Sequence, residues 1–563
     1  MTTKTSPSFL PRRRPAAAAA LAAACAALLA GCAAPPAGDL AAPRLRVAAA
    51  WRDAGADVLR TAGVGPAPLA TPADQAPDVR ALPAAAVAVD WWRAFGDPAL
   101  DALVARAQQY DNDLAATAIR VRRAQLNAGL AAVPLAPQFS GSAGASASRR
   151  LDGGPSSRAG TASLGASYEV DLWNRLGSAR DAARWEALAT VQDREAAAQA
   201  LAGTTATLYW QVGYVNQRLA LSAQSIAYAE RTLALVRTQY DAGAVSGLEL
   251  AEARQALAAQ RAARTALEQQ RVQALNALAL LFDGRLSVGG QPVGAGAPGI
   301  PRTSAAADGA DGAGTAAPPP SAGGPAAGGA RSAAAPAVPA ATPTAAADAS
   351  ADGGAFLDWR EPAVLPAGAL PPVEAGLPAD LIARRPDVRA AELRLRGYLR
   401  DVDATRAAFY PALVLTGSLG NTSAALANLL QNPLGTLGAS LTLPFLQAGQ
   451  RTLQLRVSES VYQEAVAAFR QTVYQAFADV DDALSARRQF EDQAALLEAS
   501  LAEARRAEQL YETRYRAGAV PLKSWLDAQE KRRSAETALA DNRYNRLVNH
   551  ATLFRSLGGA TAS

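Results

Sequence analysis

The chain has 563 residues, which is long enough for three or more ordinary domains. Half of the residues are hydrophobic but only 6% are aromatic, and alanine supplies much of the apolar count, so the composition favours long, closely packed helices. The net charge of +5 comes from 55 basic and 50 acidic residues that are interspersed, and this balance argues against a nucleic-acid-binding protein.

Residues 1–31 have the three-part pattern of a bacterial export signal. A weak apolar region at 16–30 follows basic residues, and Leu-Ala-Gly-Cys at 29–32 resembles a lipobox. In a lipobox the signal is cut before the cysteine, so we expect Cys32 to carry lipid. Ala33 stands where many such lipoproteins have an aspartate that retains them in the inner membrane, and this favours the outer membrane. The alternative is a buried cysteine in an Ala-rich anchor.

The other cysteine, Cys25, lies within the predicted signal, so no disulfide is expected in the mature chain. Cys32 would tether the chain without doing chemistry, and no cofactor is expected besides its covalent lipid. No apolar run of about twenty residues follows the signal, so a transmembrane helix is not expected. Strands closed into a barrel are then the only way to span a membrane.

Residues 32–89 are rich in Ala, Pro and Asp without periodicity, and they predict an extended arm close to the lipid. The ordered part begins just after this arm. Asp97 is a suitable N-cap and Pro98 suits the first turn of a helix. The sequence predicts one helix from Pro98 to about Val133, which is followed by Pro134.

Two pairs of segments alternate between apolar and small polar residues, the pattern of β-strands. The predicted strands cover about 138–150 and 160–171 in the first half, and about 411–422 and 434–445 in the second. Each is about 10 to 13 residues, long enough to cross a bilayer when tilted. One face is apolar and the other is mainly Ser, Thr and Gly, as expected between lipid and water. A soluble hairpin with one solvated face is the alternative.

Four strands cannot close a barrel, because about eight are the practical minimum. The hydroxyl-rich face also cannot form a core of its own. The sequence therefore predicts that copies of the chain pool their strands in an oligomer.

Two long segments lack proline, at 177–238 and at 450–515. A continuous helix of about 60 residues is roughly 90 Å long, which suits a spacer across an aqueous compartment. An isolated coiled-coil rod would explain the helices but not the strand pairs.

Residues 283–364 consist mostly of Gly, Ala and Pro, and we interpret them as a disordered inserted linker. The last predicted helix runs from about Leu522 past Phe554 and is ended by two glycines, before a tail at 560–563.

The two halves of the chain share motifs. Tyr-Asp-Ala-Gly-Ala-Val at 240–245 returns as Tyr-Arg-Ala-Gly-Ala-Val at 515–520, about 275 residues later. Pro137 and Pro411, before the strand pairs, keep nearly the same offset. The pattern indicates an internally duplicated helix–β-hairpin–helix unit, repeat 1 at 90–282 and repeat 2 at 365–559.

Several further motifs occur in a fixed order along the two repeats: Trp-Trp at 91–92 with Phe-Gly-Asp-Pro at 95–98, Tyr-Glu-Val-Asp-Leu-Trp-Asn-Arg at 168–175, Arg-Arg-Pro-Asp at 384–387, Phe-Tyr-Pro at 409–411 and Leu-Asp-Ala-Gln at 526–529. Together they resemble the TolC-like outer-membrane factor family, specifically its lipoprotein branch of the NodT type. Each motif is weak alone, but the ordered set is specific.

The resemblance implies a mainly α fold with membrane β-strands. Three chains would form a homotrimer with one 12-stranded β-barrel in the outer-membrane lipid and a long α-helical barrel in the periplasm. It further implies a passive exit duct for drugs and other small molecules in a tripartite efflux system of the RND type. The partners would be a periplasmic adaptor protein and an inner-membrane pump. A type I secretion duct of the same fold is the alternative.

The resemblance also places a gate at the periplasmic tip, where helix hairpins meet. The matching segments begin at Tyr240 and Tyr515. Gly243 and Gly518 follow the long helices and permit the left-handed turn that a tight reversal needs.

Glu249 and Asp527 match acidic positions of relatives at this tip. In a trimer each acid becomes three like charges, which favours cations and raises carboxyl pKa values. Val520 and Ser524 replace a basic residue and a second acid found in some relatives, which puts a closing salt bridge in doubt. The alternative is that both acids are solvated residues at helix starts.

An exported enzyme or sugar-binding lipoprotein is a further class of function. The chain has one histidine, His550, and no metal-ligand spacing, nucleophile elbow or Gly-rich phosphate loop. We predict no catalytic residue and no metal site. Asp479, Asp481 and Asp482 are interpreted as a solvated helix face.

Overall fold

The computed structural model describes residues 90–149, 157–288, 290–293, 357–373, 384–423, 434–444 and 447–559, with Leu45, Trp51 and Ile382 as single residues. The predicted export signal, Cys32, most of the predicted arm, the centre of the predicted linker and the tail lie outside the described residues.

The described part of the chain is mainly helical, and its helices fall into matched sets from the two repeats. They are α1 (Pro98–Tyr110), α2 (Asn112–Ala132), α3 (Arg175–Asp241), α4 (Gly247–Leu280), α5 (Pro386–Ala407), α6 (Ala448–Arg516) and α7 (Leu522–Ser556). α2, α3 and α4 have 21, 67 and 34 residues, and α5, α6 and α7 have 22, 69 and 35. The near-equal lengths show that the duplication extends to whole helices.

The first predicted helix is two helices, because Asp111 interrupts it. Asp111 has an extended backbone with ψ of 124°, and its carboxylate accepts a hydrogen bond from the backbone N–H of Leu114 at 2.7 Å. Asp97 caps α1 in the same way, accepting from Ala99 at 3.0 Å. An Asp that can cap a new helix competes with continuing the old one, and the periodicity alone does not reveal the break.

Four strands form one antiparallel sheet in the order β1-β2-β6-β7, in which each repeat supplies one hairpin. The strands are β1 (Gln138–Ser148), β2 (Ser157–Val170), β6 (Ala412–Ser423) and β7 (Leu434–Thr442). They lie within about three residues of the predicted segments. The two repeats meet between β2 and β6, so β1 and β7 are the outer edges of the sheet.

α3 and α6 are each about 100 Å long at 1.5 Å per residue. α3 packs against α2, α4 and α5, and α6 packs against α5 and α7. The main core lies between these helices and includes Trp91, whose ring stacks on Phe554 with centroids 5.5 Å apart. Burying such aromatic surface along the helices stabilises them far more than helix propensity does.

Both ends of the predicted linker are ordered, whereas the sequence predicted disorder. Three short strands, β3 (Leu286–Val288), β4 (Gln291–Pro292) and β5 (Leu357–Trp359), form a second sheet in the order β4-β3-β5. Leu286 is fully buried and Trp359 is 6% exposed, so apolar anchors within a Gly- and Pro-rich segment hold these strands to the core. Averaged composition obscures such isolated anchors.

One residue of the predicted arm is also part of the core. The Trp51 side chain is 6% exposed, and its ring lies 6.0 Å from that of Phe477 on α6 in an edge-to-face contact. No helix among the residues that the structure describes is long and apolar enough to cross a membrane.

Candidate functional site

The four-stranded sheet presents two chemically different faces, and its register shows which residues share each one. Cross-strand partners on the apolar face include Leu164 with Leu419, Tyr168 with Leu415 and Leu413 with Leu441. Partners on the other face carry hydroxyls, such as Ser142 with Ser163, whose Oγ atoms are 2.8 Å apart. Leu437 is 95% exposed and Phe139 is 82% exposed, so none of the described residues of the chain covers these apolar side chains.

The edges of this sheet continue into helices with exposed apolar stripes. α2 precedes edge strand β1 and carries Ile119, Leu126 and Leu130, and Val133 directly follows it; these four side chains are 48–68% exposed. α6 follows edge strand β7 and carries Leu453, Val457 and Val461 at 42–66% exposure. Each side of the protomer therefore has an open strand edge and, in continuation of it, an uncovered apolar helix face.

The strand-to-helix corner after β2 explains the motif at 168–175. Asn174 has a φ of 55°, and Gly177 leaves room for it, since a Cβ at position 177 would lie 1.9 Å from Asn174 Oδ1. The Asp171 carboxylate accepts hydrogen bonds from the backbone N–H groups of Leu176 and Gly177 and thereby caps α3. Trp173 Nε1 donates to the Pro411 carbonyl at 2.9 Å, which joins this corner to the second repeat.

The two predicted helix tips have the same backbone geometry. Gly243 and Gly518 both have a φ of 70°. In both tips the glycine N–H donates to the carbonyl of the tyrosine three residues earlier, Tyr240 or Tyr515, at 2.9 Å. The next N–H reaches five residues back, which is the hydrogen-bond pattern of a helix that ends in a left-handed glycine.

Glu249 lies at the start of α4 in a capping box with Ser246. Its carboxylate accepts from the Ser246 backbone N–H at 3.0 Å and from the Ser246 hydroxyl. Hydrogen bonds from that hydroxyl and from backbone N–H groups lower the pKa of Glu249. The resemblance implied raised pKa values in an assembled ring, whereas within one chain the cap favours the charged carboxylate.

Asp527 lies one turn into α7 and is exposed. Its Oδ1 is 3.8 Å from Nζ of Lys523, with 59% of the aspartate side chain accessible. An ion pair as exposed as this one contributes little to stability. The structure thus gives each predicted gate acid a local partner three or four residues earlier in the chain.

Tyr515 and Tyr240 occupy matching positions but different surroundings. Tyr515 is 7% exposed, donates to Gln239 Oε1 at 2.7 Å and stacks on Trp525 with centroids 5.2 Å apart. Burial and the nearby Glu249 carboxylate raise the pKa of Tyr515. Tyr240 is 43% exposed.

Trp525 is the centre of a small second core at the tips, which sequence reasoning missed. It is 2% exposed, and Tyr228 packs edge-on against it at 6.0 Å. The Tyr228 hydroxyl donates to Glu512 at 3.2 Å, so this cluster joins α3, α6 and α7. The only sequence signal was a tryptophan in the first turn of an otherwise polar helix.

Asp479 is more than the solvated residue that the sequence suggested. Arg385 Nη1 lies 3.0 Å from its Oδ2, and Arg385 Nη2 lies 2.7 Å from Asp387 Oδ2. Burial acts to raise the pKa of Asp387, but the Arg385 guanidinium and backbone N–H groups together outweigh burial, so the pKa is lowered. Asp482 is exposed, as predicted for that face.

His550 is a core residue. It is 1% exposed, and the rings of Phe95 and Phe554 contact it edge-on at 5.6 and 4.9 Å. Burial, with lesser effects from Arg487 and Arg546, lowers the pKa of His550 to about 4. No group of three or more His, Cys, Asp or Glu side chains suited to a metal ion occurs among the described residues.

Comparison with known proteins defines the class of this chain. A family model described as outer membrane efflux protein matches residues 103–283 and 377–559, which is once in each repeat. The chain belongs to this family of outer-membrane export proteins.

Individual relatives agree with the family match. The pyoverdine export outer membrane protein OpmQ of Pseudomonas putida is 31% identical over 515 residues, covering 89% of this chain and 93% of the relative. The protein of the same name from Pseudomonas aeruginosa is 30% identical over 484 residues, covering 84% and 88%. The crystal structure of the Campylobacter jejuni CmeC outer membrane channel matches with a TM-score of 0.67 at 21% identity, covering 84% of this chain and 89% of that one, and shows the same fold.

These matches confirm the resemblance to outer-membrane factors, the duplicated and mainly helical fold, the efflux function and the outer-membrane location. The lipid on Cys32 and the gate roles of Tyr240, Tyr515, Glu249 and Asp527 stay predictions.

Proposed function

We propose that three copies of this chain form a passive exit duct for small molecules through the outer membrane and across the periplasm. The observation that carries the proposal is the uncovered four-stranded sheet with one apolar face, one hydroxyl face and two open edges. Unpaired strand edges and exposed leucines are both costly, and one assembly removes both costs.

The two sides of the protomer are complementary in a head-to-tail arrangement. Edge strand β1 of one copy would pair with β7 of the next, and the α2 stripe would pack against the α6 stripe. Such a contact is heterologous, because it uses two different surfaces, and it generates a closed ring when the rotation between successive copies closes.

The size of the ring follows from the strand count. Two copies would supply eight strands, and the interior of an eight-stranded barrel is filled by its own side chains. Three copies supply twelve strands, which is the smallest closed number here that leaves a passage. Lipid would then contact the apolar face, and the hydroxyl face would line a water-filled lumen.

The long helices would extend this lumen into the periplasm. α3 and α6, each about 100 Å long, contribute six such helices in a trimer, and α4 and α7 complete the wall. The tips that carry Gly243 and Gly518 would lie farthest from the barrel.

We expect this duct to work with an inner-membrane pump and a periplasmic adaptor protein, since the chain is a passive wall. The named relatives export pyoverdine, so the cargo class that we propose is small molecules of that kind, including drugs. A duct for protein secretion is the second possibility, and no feature of the described residues favours it.

The assembly is tested with Leu126→Glu, which places a charge in the α2 stripe. Light scattering in detergent should give the mass of three chains for the wild type and of one chain for the variant. Gln125→Glu adds the same charge to another exposed position of α2 and should remain trimeric. A monomeric wild type, or a fully trimeric Leu126→Glu, would contradict the proposal.

The efflux role is tested in cells that lack the chain. They should become sensitive to small toxic compounds and should recover when the chain is restored. Normal compound tolerance combined with loss of a secreted protein would instead favour the secretion duct.

The gate is a further part of the proposal. Glu249→Ala together with Asp527→Ala should raise single-channel conductance and lower the cation preference in planar bilayers, because six acidic side chains leave the tip. Glu268→Ala, on the exposed part of α4 away from the tip, is the control. Unchanged conductance and selectivity would remove both acids from the gate.

The lipid anchor rests on the lipobox-like segment at 29–32. Cys32→Ser should abolish acylation, measured by incorporation of a labelled fatty acid, while Cys25→Ser should leave it intact. Acylated Cys32→Ser protein would contradict the assignment.

A further inference from the structure

An ion pair lies at the corner where β2 passes into α3. Arg175 Nη2 donates to both carboxylate oxygens of Glu169, at 2.7 and 2.8 Å, and Nε donates to Oε1 at 3.3 Å. This is the bidentate geometry that fixes two side chains relative to each other. The side chains keep 36% and 27% of their surface exposed, so water and small ions reach them.

Glu169 lies on the hydroxyl face of the sheet. It shares that face with Ser163 and Ser167, because side chains alternate along a strand, and its cross-strand partner is Val414. Among the described strands of the four-stranded sheet it is the one charged residue on this face. Arg158, the other charged residue in these strands, lies on the apolar face.

The ion pair is not what forms the corner. Asp171 caps α3, and the Trp173 hydrogen bond to Pro411 anchors the corner to the second repeat. A basic residue in the first turn of a helix opposes the helix dipole, so Arg175 does not itself favour the helix start.

The second repeat has no charged residue at the two matching positions. There the first residue of the long helix is Ala448, and the residue six positions earlier, at the end of β7, is Thr442. Thr442 lies on the same hydroxyl face as Thr416 and Ser440. The carboxylate–guanidinium pair is therefore confined to the first repeat.

We propose that the three Glu169–Arg175 pairs of the trimer form a charge-balanced ring at the base of the barrel, separate from the helix tips, which keeps the open duct there from favouring either cations or anions. The inference rests on the proposed trimer, in which the hydroxyl face lines the lumen. In the wild type the paired charges cancel, and the ring passes cations and anions with little preference.

Neutralising one partner exposes three like charges to the lumen. A unit charge about 10 Å from an ion in water changes the local ion concentration about twofold. Since anions and cations respond in opposite directions, Glu169→Gln should raise the anion-to-cation permeability ratio about fourfold or more, and Arg175→Gln should lower it by a similar factor.

The test is the reversal potential of the purified full-length channel in a planar bilayer under a salt gradient. It is measured in the wild-type chain and in a Glu249→Ala, Asp527→Ala background, where the tip acids are absent. Both shifts should weaken as salt rises from 0.1 to 1 M, because the screening length falls from about 10 to about 3 Å.

Two controls separate charge from structure. Arg158→Gln removes a charge from the apolar face of the same strand and should leave selectivity unchanged. The exchange of Glu169→Arg with Arg175→Glu keeps a pair and should return the ratio to the wild-type value.

Each outcome supports or refutes the role of the Glu169–Arg175 ring. Opposite shifts in the two single variants, with recovery in the exchange, support the ring. Unchanged ratios, or shifts of the same sign, would show that the pair is a brace only. Wild-type protein that forms no trimer and no conductance would instead refute the proposed function, and the two failures are thus distinguishable.

Discussion

The two helix tips share a backbone and differ in their side chains. Gly243 and Gly518 adopt the same φ of 70° with matching hydrogen bonds. The first tip has an exposed tyrosine and a capping box, whereas the second has Tyr515 stacked on Trp525 and a proline, Pro521, at the N-cap. After the duplication, the turn geometry was kept, whereas the stacked aromatic pair of the shared tip core comes from the second tip alone.

The largest expected effect comes from removing the anchor of the second tip. Trp525→Ala deletes an indole that is 2% exposed, which typically costs about 3–5 kcal/mol. Hydrogen exchange measured by mass spectrometry should become faster around 515–525. Tyr240→Ala, at an exposed position of the first tip, should change hydrogen exchange little. Equal increases in exchange for both variants would contradict the difference between the tips.

The shared backbone predicts equal effects at the two glycines. Gly243→Ala and Gly518→Ala should each destabilise their tip by about 1–2 kcal/mol, since an L-residue is strained at positive φ. A Cβ meets nothing within 4 Å at either site, so strain is the whole effect. Gly449→Ala, which also meets nothing and lies in the first turn of α6, is the control and should be neutral or slightly stabilising. Unequal increases in hydrogen-exchange rate at the two tips would show that their turns are not equivalent.

A smaller effect should distinguish the two tyrosines. Tyr515→Phe loses the hydrogen bond to Gln239, which typically contributes about 1 kcal/mol. Hydrogen exchange of the backbone amides near Gln239 should report the loss of this bond, and Tyr240→Phe is the matched control. A larger effect at Tyr240 would reverse the assignment of the anchored tip.

The smallest effect is a pH dependence confined to the first tip. The folded-state pKa of Glu249 is lowered, so its capping contribution is present above the unfolded value near 4.5 and is lost as pH falls through the folded value. Exchange of the first-turn amides of α4 should speed up in acid relative to those of α7. Glu249→Gln should remove the difference, and an unchanged acid response in that variant would assign it to another group.

The elements with strong periodicity were predictable from sequence. Alternation located the four strands, and proline-free stretches located α3 and α6 to within a few residues, because both patterns follow directly from backbone geometry. The break at Asp111 was not predictable, since it depends on one side chain capping a new helix instead of continuing the old one. The sheet of β3, β4 and β5 was missed because its partners are about 70 residues apart.

The candidate site was predictable in position and not in detail. The repeated Tyr-x-x-Gly motif located both tips, and family likeness pointed to Glu249 and Asp527. The cap on Glu249 is a local Ser-x-x-Glu pattern at 246–249 that the sequence analysis overlooked, whereas the stack of Tyr515 on Trp525 is a contact between helices that no local pattern encodes. Glu169 and Arg175 lie within a motif that the sequence analysis recognised. That they form a pair, and that Glu169 lies on the hydroxyl face of the sheet, became apparent only from the structure.

The parallel pairing of β3 with β5 has a practical consequence. Leu286 and Leu357 are neighbours in the small sheet, so the chain between them leaves and returns at one point of the fold. The entropic cost of closing a flexible loop rises by only about 0.6 kcal/mol for each doubling of its length. Reporter peptides or whole affinity modules inserted between residues 300 and 350 should leave assembly and transport intact, because the small sheet fixes both ends of the segment.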